Sequence, residues 1–175
     1  AVSPYSHPIL PLLLDFGAAR ESEPHAPRPH HAAYPGGAER VRWHLDRARS
    51  EFERVFGFAP RGCWPSEGAI SNEAVTAIEA AGFDWLATSV SVLRPSLAKS
   101  QVDVPEDGAA AERLLNRGFS LRGEVPARGK LECYFRHDGI SDLIGFSYSR
   151  WHGDDAAANF AQEIATLAAS TQGEP

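Results

Sequence analysis

The sequence contains no methionine and only two cysteines, and both shortages restrict how the chain can be interpreted. Cys63 and Cys133 are too few for a disulfide framework and too far apart for a zinc site built on closely spaced ligands. We therefore predict two free, buried thiols and take the cytoplasm as the default location. No charged segment precedes the apolar residues near Ala1, so we expect these residues not to be a signal peptide. Without a methionine, the chain is expected to be a piece of a longer protein.

Long apolar runs and an excess of basic residues are also missing. No run of about 18 apolar residues is present, so no membrane span is predicted. The net charge of −6 argues against nucleic acid as the main partner, because phosphate binding requires clustered lysine and arginine. The sequence has no glycine-rich phosphate-binding motif, no Gly-x-Ser-x-Gly turn and no Cys–His nucleophile arrangement. We expect neither a metal ion nor a cofactor.

Four histidines do not form a recognisable metal-binding pattern. None of them has the i, i+4 spacing of a helical metal pair, and most fall in residues 23–37, which are rich in proline and too polar to pack. We interpret them as solvated loop residues. They are His25, His30, His31 and His44.

Apolar residues at helical spacing are present in three segments. Residues 38–57 repeat apolar side chains at steps of three and four and end at Gly57, which predicts an amphipathic helix. A second helix is predicted from Ser71 or Asn72, either of which can cap it, to Ala81. Residues 154–168 predict a third, with acidic residues near its start, where the helix dipole favours negative charge.

Short extended segments alternate with these helices. Residues 83–88 read as a strand, and residues 131–135 and 143–148 as two further strands or extended segments. Residues 98–130 carry no readable pattern. Helices and strands that alternate over short connections predict an α/β fold with parallel strands, and the length suggests one domain.

Glu67 is the strongest candidate for a catalytic group. It follows a short apolar, strand-like segment and lies close to Trp64. Catalytic groups of parallel α/β barrels gather at the ends of strands and in the loops that follow. An indole can stack on a sugar ring while a carboxylate meets the anomeric carbon, so the pair suits sugar chemistry. The alternative interpretation is a glutamate that caps the next helix.

Two other polar features also allow two interpretations. His7 is followed by a proline and an apolar run, and it could contact a hydroxyl or a metal, or could be a half-buried histidine with an ordinary hydrogen bond. Residues 135–142 contain an arginine, a histidine and two carboxylates, which suggests either a polar site at the end of a strand or a turn with solvated charges.

Five stretches of the sequence, taken in this order, resemble glycoside hydrolase family 57. They are residues 3–12 (SPYSHPILPL), 60–68 (PRGCWPSEG), 82–88 (GFDWLAT), 135–146 (FRHDGISDLIGF) and 148–151 (YSRW). The resemblance covers nearly the whole chain.

The resemblance implies part of a (β/α)7 barrel with parallel strands and a retaining enzyme that acts on α-glucans. The family includes α-amylases, amylopullulanases, 4-α-glucanotransferases, branching enzymes and α-galactosidases. Its nucleophile is the glutamate of the stretch that matches Glu67 here. His7 matches a histidine expected to bind the sugar, and Trp64 is expected in the subsite wall. Arg136 and Asp142 also match the family pattern and are expected to bind substrate.

The sequence departs from the family pattern in three ways. The family's opening His-Gln-Pro stretch does not occur, and neither does the Leu-Asp-Gly-Glu-Asn segment expected to carry the acid/base aspartate. The usual order Phe-Arg-Asp-His is also reversed at His137 and Asp138, which leaves the roles of these two residues open. We therefore expect residues 1–175 to be a single catalytic domain, truncated at both ends and inactive alone, with its acid/base beyond Pro175.

Two other functions remain as alternatives. A metal-dependent polysaccharide deacetylase can use a related barrel, but it needs an Asp-Asp pair followed by a His-x-x-x-His spacing, and that combined pattern does not occur here. A non-catalytic carbohydrate-binding remnant could use Trp64, Trp85 and Trp151 as stacking surfaces. The sequence does not distinguish hydrolysis from transglycosylation, or α-1,4 from α-1,6 linkages.

Overall fold

The computed structural model describes residues 1–27, 29–31, 33–106, 108–121 and 131–171, and it shows a mixed α/β chain. The strands are β1 (Gly62–Cys63), β2 (Trp85–Ser89), β3 (Phe119–Leu121) and β4 (Leu131–Arg136). The helices are α1 (Leu10–Leu14), α2 (Ala19–Ser22), α3 (Gly37–Phe56), α4 (Asn72–Ala80), α5 (Val90–Lys99), α6 (Gly108–Leu115), α7 (Asp138–Asp142) and α8 (Gly153–Thr171). Short 3₁₀ segments cover Phe16–Ala18, Ser66–Gly68 and Tyr148–Arg150, and a π-helical turn covers Leu143–Ser147.

The chain divides into two compact units. The first unit comprises Ala1–Thr88 and Phe119–Tyr134, and the second comprises Ser89–Gly118 and Phe135–Pro175.

The strands form one mixed sheet in the order β1-β2-β4-β3. β1 and β2 pair in parallel, with Gly62 opposite Trp85, as expected for an α/β fold. β3 and β4 are antiparallel, so the expectation of parallel strands was wrong for this pair. Only residues 122–130 separate them, whereas a parallel pair needs a crossover of about a dozen residues or more. The described residues thus form a four-stranded sheet and not a closed barrel.

Helix α3 supplies much of the core of the first unit. Val41, Leu45 and Ala48 are buried at helical spacing, and α1 packs against both α3 and α4. The helix ends at Gly57, whose φ of 80° is a left-handed conformation that glycine adopts without strain. The prediction of a helix over residues 38–57 is confirmed, and its apolar face is buried from Val41 to Ala48, whereas Val55 near its end is 60% exposed.

Helix α4 follows the predicted capping pattern. The Ser71 hydroxyl accepts a hydrogen bond from the Ala74 N–H at 3.2 Å, which satisfies one of the free donors at the helix start. Ala74 and Ile78 on the inner face are buried. The predicted second helix is therefore confirmed, with Ser71 as its cap.

A close contact joins β1 to β2 in the first unit. The Trp85 indole lies so near Gly62 that a Cβ on Gly62 would come within 2.2 Å of the ring.

Cys63 and Cys133, on β1 and β4, are buried and free, which confirms the prediction for both thiols. Burial raises the pKa of each thiol to about 12, because a thiolate would lose its solvation.

The second unit is mainly helical in its described part. The predicted third helix is confirmed as α8, and α6 packs against it. The extended segment predicted for residues 143–148 was wrong, because this stretch is helical. The His137 side chain caps α7, and helical turns continue from there to Arg150. The apolar run does not mark a buried strand, since Phe146 is 72% exposed.

Within the described residues, no helix is long and apolar enough to cross a membrane.

Candidate active site

Two turns in the first unit have unusual backbone conformations. Ser6 and His7 have φ values of 60° and 56°, and Glu67 has a φ of 57°. Left-handed conformations are uncommon for residues other than glycine and cost free energy. Such residues cluster at functional sites, where the surrounding structure fixes them. The turns around His7 and Glu67 are therefore candidates for a functional site.

The side chains of these two turns meet. The Nε2 of His7 lies 3.1 Å from the Oε1 of Glu67, although the residues are far apart in sequence. Both groups are open to solvent, with side chains 51% and 74% exposed. An ionised carboxylate only accepts hydrogen bonds, so the imidazole Nε2–H is the donor in this pair. The contact places a polar pair where a ligand can reach it.

The turn at His7 is fixed by a chain segment that runs beside β1. The Val2 N–H donates to the Gly62 carbonyl at 2.9 Å, and the Trp64 N–H donates to the Val2 carbonyl at 3.0 Å. These bonds form a parallel bridge between Val2 and Cys63. The same strand therefore aligns the segment before His7 and the segment that leads to Glu67.

His44 fixes the same turn from helix α3. Its backbone carbonyl accepts the Tyr5 N–H at 3.0 Å, and its Nδ1 lies 2.6 Å from the Tyr5 carbonyl oxygen. Because that oxygen can only accept, Nδ1 of His44 carries the proton. The interpretation of His44 as a solvated loop residue was wrong, since it lies in a helix and binds both polar groups of the Tyr5 backbone.

The turn at Glu67 is fixed from β2. The buried Thr88 hydroxyl donates to the Gly68 carbonyl at 2.5 Å, and the Gly68 N–H donates to the Pro65 carbonyl at 2.8 Å. The turn follows β1 and is bonded to the last part of β2, so Glu67 lies at the carboxyl end of two parallel strands. In parallel α/β folds this end carries ligand sites. Since Ser71 caps α4, Glu67 is not the cap of that helix.

Trp64 precedes this turn. It follows β1 directly, is partly exposed and is bonded through its backbone to Val2. Its position three residues before Glu67 keeps it in the same connection between β1 and α4.

The other predicted substrate-binding residues, Arg136 and Asp142, belong to the second unit. The Arg136 Nε lies 3.1 Å from Asp138, and its second guanidinium nitrogen lies 3.9 Å from Asp142. The His137 Nδ1 accepts the Ile140 N–H at 3.1 Å, while its Nε2 lies 4.0 Å from Glu112. Arg136 and Asp142 are therefore neighbours within one local cluster around α7.

The sequence did not predict the positioning role of two residues of the first unit. His44 and Thr88 each bond to the backbone of a distant turn, and no local motif marks such a bond. Among the residues that the structure describes, no group of three or more histidine, cysteine, aspartate or glutamate side chains could hold a metal ion.

Comparison with known protein families matches the whole chain, residues 1–175, to the profile described as glycosyl hydrolase family 57. No curated protein matches the chain, and no solved structure does.

Proposed function

Because the chain belongs to glycosyl hydrolase family 57, we propose that it acts on α-glucans by a retaining mechanism with Glu67 as the nucleophile. The family makes the protein a glycoside hydrolase or transglycosidase, with a carbohydrate as substrate. The choice of α-glucan, the retaining mechanism and the role of Glu67 are the parts that we propose. Starch, glycogen and maltooligosaccharides are the substrates to test.

The contact between His7 and Glu67 is the observation that carries this proposal. A nucleophilic carboxylate must be open to the sugar, ionised and held in one orientation. Glu67 is exposed, accepts a hydrogen bond from the His7 imidazole at 3.1 Å and lies on a turn anchored by the buried Thr88. Left-handed backbone on both sides of the contact supports a functional role, because such strain is retained where geometry matters.

The proposed reaction has two steps. A Glu67 oxygen attacks the anomeric carbon, the bond to the leaving oxygen breaks, and a general acid protonates that oxygen. Water or an acceptor hydroxyl then attacks the glycosyl ester from the other side, gives up its proton to the same residue, which now acts as a base, and releases Glu67. In retaining enzymes the second carboxyl stands about 5–5.5 Å from the nucleophile. We assign that acid/base to no residue of this chain.

The remaining site residues have binding roles in this proposal. His7 donates to one oxygen of Glu67 and leaves the other for attack, and its exposed ring also contacts the sugar. Trp64 supplies part of the subsite wall. Arg136 and Asp142 bind hydroxyl groups of the substrate through their charged, hydrogen-bonding side chains.

We further propose that residues 1–175 form one incomplete catalytic domain of a (β/α)7 barrel. The parallel pairing of β1 with β2, and the position of Glu67 at their carboxyl end, support this architecture. A general acid typically contributes about 10²–10⁴-fold to such a reaction. Residues 1–175 alone are therefore expected to show little or no turnover.

The test compares the complete natural protein with its Glu67→Ala variant on soluble starch and maltooligosaccharides. We expect the variant to lose at least about 10³-fold in kcat, since the covalent step has no nucleophile. Glu73→Ala is the matched control, because Glu73 is an exposed glutamate in the first turn of α4. It should retain kcat within about twofold.

Rescue by azide sharpens the assignment. Azide can enter the space left in Glu67→Gly and attack the anomeric carbon directly, which should yield a β-glycosyl azide. Full activity in Glu67→Ala would disprove the nucleophile. Glucan binding without turnover in the parent would instead favour a carbohydrate-binding remnant, and zinc bound in the purified protein would favour a deacetylase.

A further inference from the structure

Tyr5 and Trp43 form an exposed aromatic pair next to the candidate active site. Their ring centroids are 5.7 Å apart and their planes are nearly perpendicular, at 87°. Tyr5 is 40% exposed and Trp43 is 53% exposed, so both rings are open to a ligand. The two rings form an open corner on the surface of the first unit.

The pair has little freedom to rearrange. His44 binds both polar groups of the Tyr5 backbone, and its ring also meets the Trp43 indole edge-on at 4.9 Å. The Arg47 guanidinium lies over the Tyr5 ring, 5.6 Å from its centroid. Trp43 itself is carried by α3, whose opposite face is buried in the core. The rings are therefore already ordered before a ligand binds, which lowers the entropy cost of binding.

The surroundings of the pair fit a sugar better than a protein. Arg42, Asp46 and Arg47 are exposed on the same helix, and the Arg47 guanidinium lies over the Tyr5 ring. A stable protein interface buries about 800 Å² on each partner, far more than two side chains provide. A pyranose ring has an apolar C–H face of the size of one aromatic ring and a rim of hydroxyl groups. Aromatic faces and charged hydrogen-bonding groups recognise these two parts separately.

The pair is also continuous with the candidate site. Tyr5 lies in the turn that His7 closes, where the His7 N–H donates to the Pro4 carbonyl at 3.0 Å. Tyr5 is thus two residues from His7, whose side chain contacts Glu67.

We propose that Tyr5 and Trp43 form a stacking subsite for one glucose unit of an α-glucan chain whose cleavage site lies at Glu67. This subsite rests on the function proposed above and adds the residues that bind a unit remote from the cleaved bond. Arg47 contributes hydrogen bonds to the hydroxyl rim while its ion pair with Glu51, at 2.6 Å, keeps it in position.

The test measures binding of maltoheptaose by calorimetry, in the complete protein with Glu67→Gln to prevent turnover. Trp43→Ala should raise Kd about 3- to 10-fold, the range expected for loss of one aromatic contact. Trp43→Phe, which keeps a stacking ring, should stay within about twofold of the parent. Phe56→Ala is the matched control, because Phe56 lies on the same helix and is 60% exposed. It should leave Kd unchanged.

The results distinguish a failure of the subsite from a failure of the proposed function. Unchanged Kd in Trp43→Ala, beside activity that depends on Glu67, disproves the subsite and leaves the proposed function intact. A raised Kd in Trp43→Ala, beside activity that survives Glu67→Ala, supports the subsite and disproves the nucleophile. If the parent does not bind maltoheptaose, the subsite is wrong.

Discussion

The two compact units each contain a polar cluster, but the clusters are built in opposite ways. In the first unit, His7 and Glu67 come from distant parts of the sequence, and both have left-handed backbone. In the second unit, Arg136, Asp138 and Asp142 lie within a few residues of one another and pair around a short helix. A local cluster forms whenever its helix forms, whereas a distant pair requires the fold. The His7–Glu67 pair is therefore stronger evidence for a functional role than the local cluster of the second unit is.

The largest expected difference comes from shape-conserving changes in both clusters. Glu67→Gln should lower kcat on soluble starch at least about 10³-fold, because an amide cannot act as the nucleophile. Asp142→Asn should act mainly on KM, by about tenfold, as expected for a lost binding contact. Steady-state kinetics of both variants measure the difference. An equal loss of kcat would transfer catalytic importance to the second unit and break the comparison.

A second prediction concerns the buried sheet beneath the first cluster. The Cys63 pKa is about 12 in the fold against 9.0 when exposed, so the folded state keeps a proton that the unfolded state releases. Stability is therefore full below about pH 9 and falls as pH rises towards 12. At pH 10.5 the loss due to Cys63 should reach about 2 kcal/mol.

Urea unfolding at pH 8 and pH 10.5 measures this loss. Cys63→Ala should show a smaller fall between the two values than the parent protein does. An equal fall in both proteins would mean that Cys63 is solvated and that the sheet is less closed than described.

Removing the donor of the pair is expected to have a smaller effect. His7→Ala should lower kcat/KM about tenfold, because Glu67 loses a charge-assisted hydrogen bond in a site open to water. His7→Gln can still donate to the carboxylate and should keep most of the activity. Initial rates on maltoheptaose measure both variants. Equal losses in the two would show that the imidazole does more than donate one hydrogen bond.

The smallest expected effect is at His44 and tests whether this residue acts by positioning the His7 turn. In His44→Asn, the amide nitrogen can replace Nδ1 as the donor to the Tyr5 carbonyl, so kcat/KM should remain within about twofold. His44→Leu has no donor and should lose about fivefold, the value of one neutral hydrogen bond. Thermal unfolding controls for stability. If both variants lose activity equally, the hydrogen bond does not position the His7 turn.

Helices with a regular apolar face could be predicted from the sequence. The predicted helix over residues 38–57 corresponds to α3 because its spacing is the spacing of the buried residues. The start of α4 could be predicted as well, because Ser71 satisfies the helix end locally. Residues 143–148 could not be assigned this way. Their apolar side chains are partly exposed, so burial did not impose a strand pattern on them.

The candidate site was only partly predictable. Glu67 and His7 were chosen separately, and their contact depends on the Val2–Cys63 bridge, which no local pattern reveals. His44 was assigned to solvent because it bonds to the backbone of Tyr5, 39 residues away, and no local sequence pattern marks so distant a backbone partner. The antiparallel pairing of β3 with β4 depends on the length of one connection. Pairing across the chain is a tertiary property, and it overrides local preference.

Because Trp85 approaches Gly62 so closely, the residue that position 62 can accept depends on the side chain at position 85. A side chain at Gly62 would occupy the space of the indole, with a Cβ only 2.2 Å from the ring. A side chain at Gly62 is therefore excluded as long as Trp85 is retained, whereas a smaller residue at Trp85 remains compatible with Gly62. Since Gly62 begins the strand that leads to Glu67, a side chain there would displace either the Trp85 indole or the strand that carries the Glu67 turn.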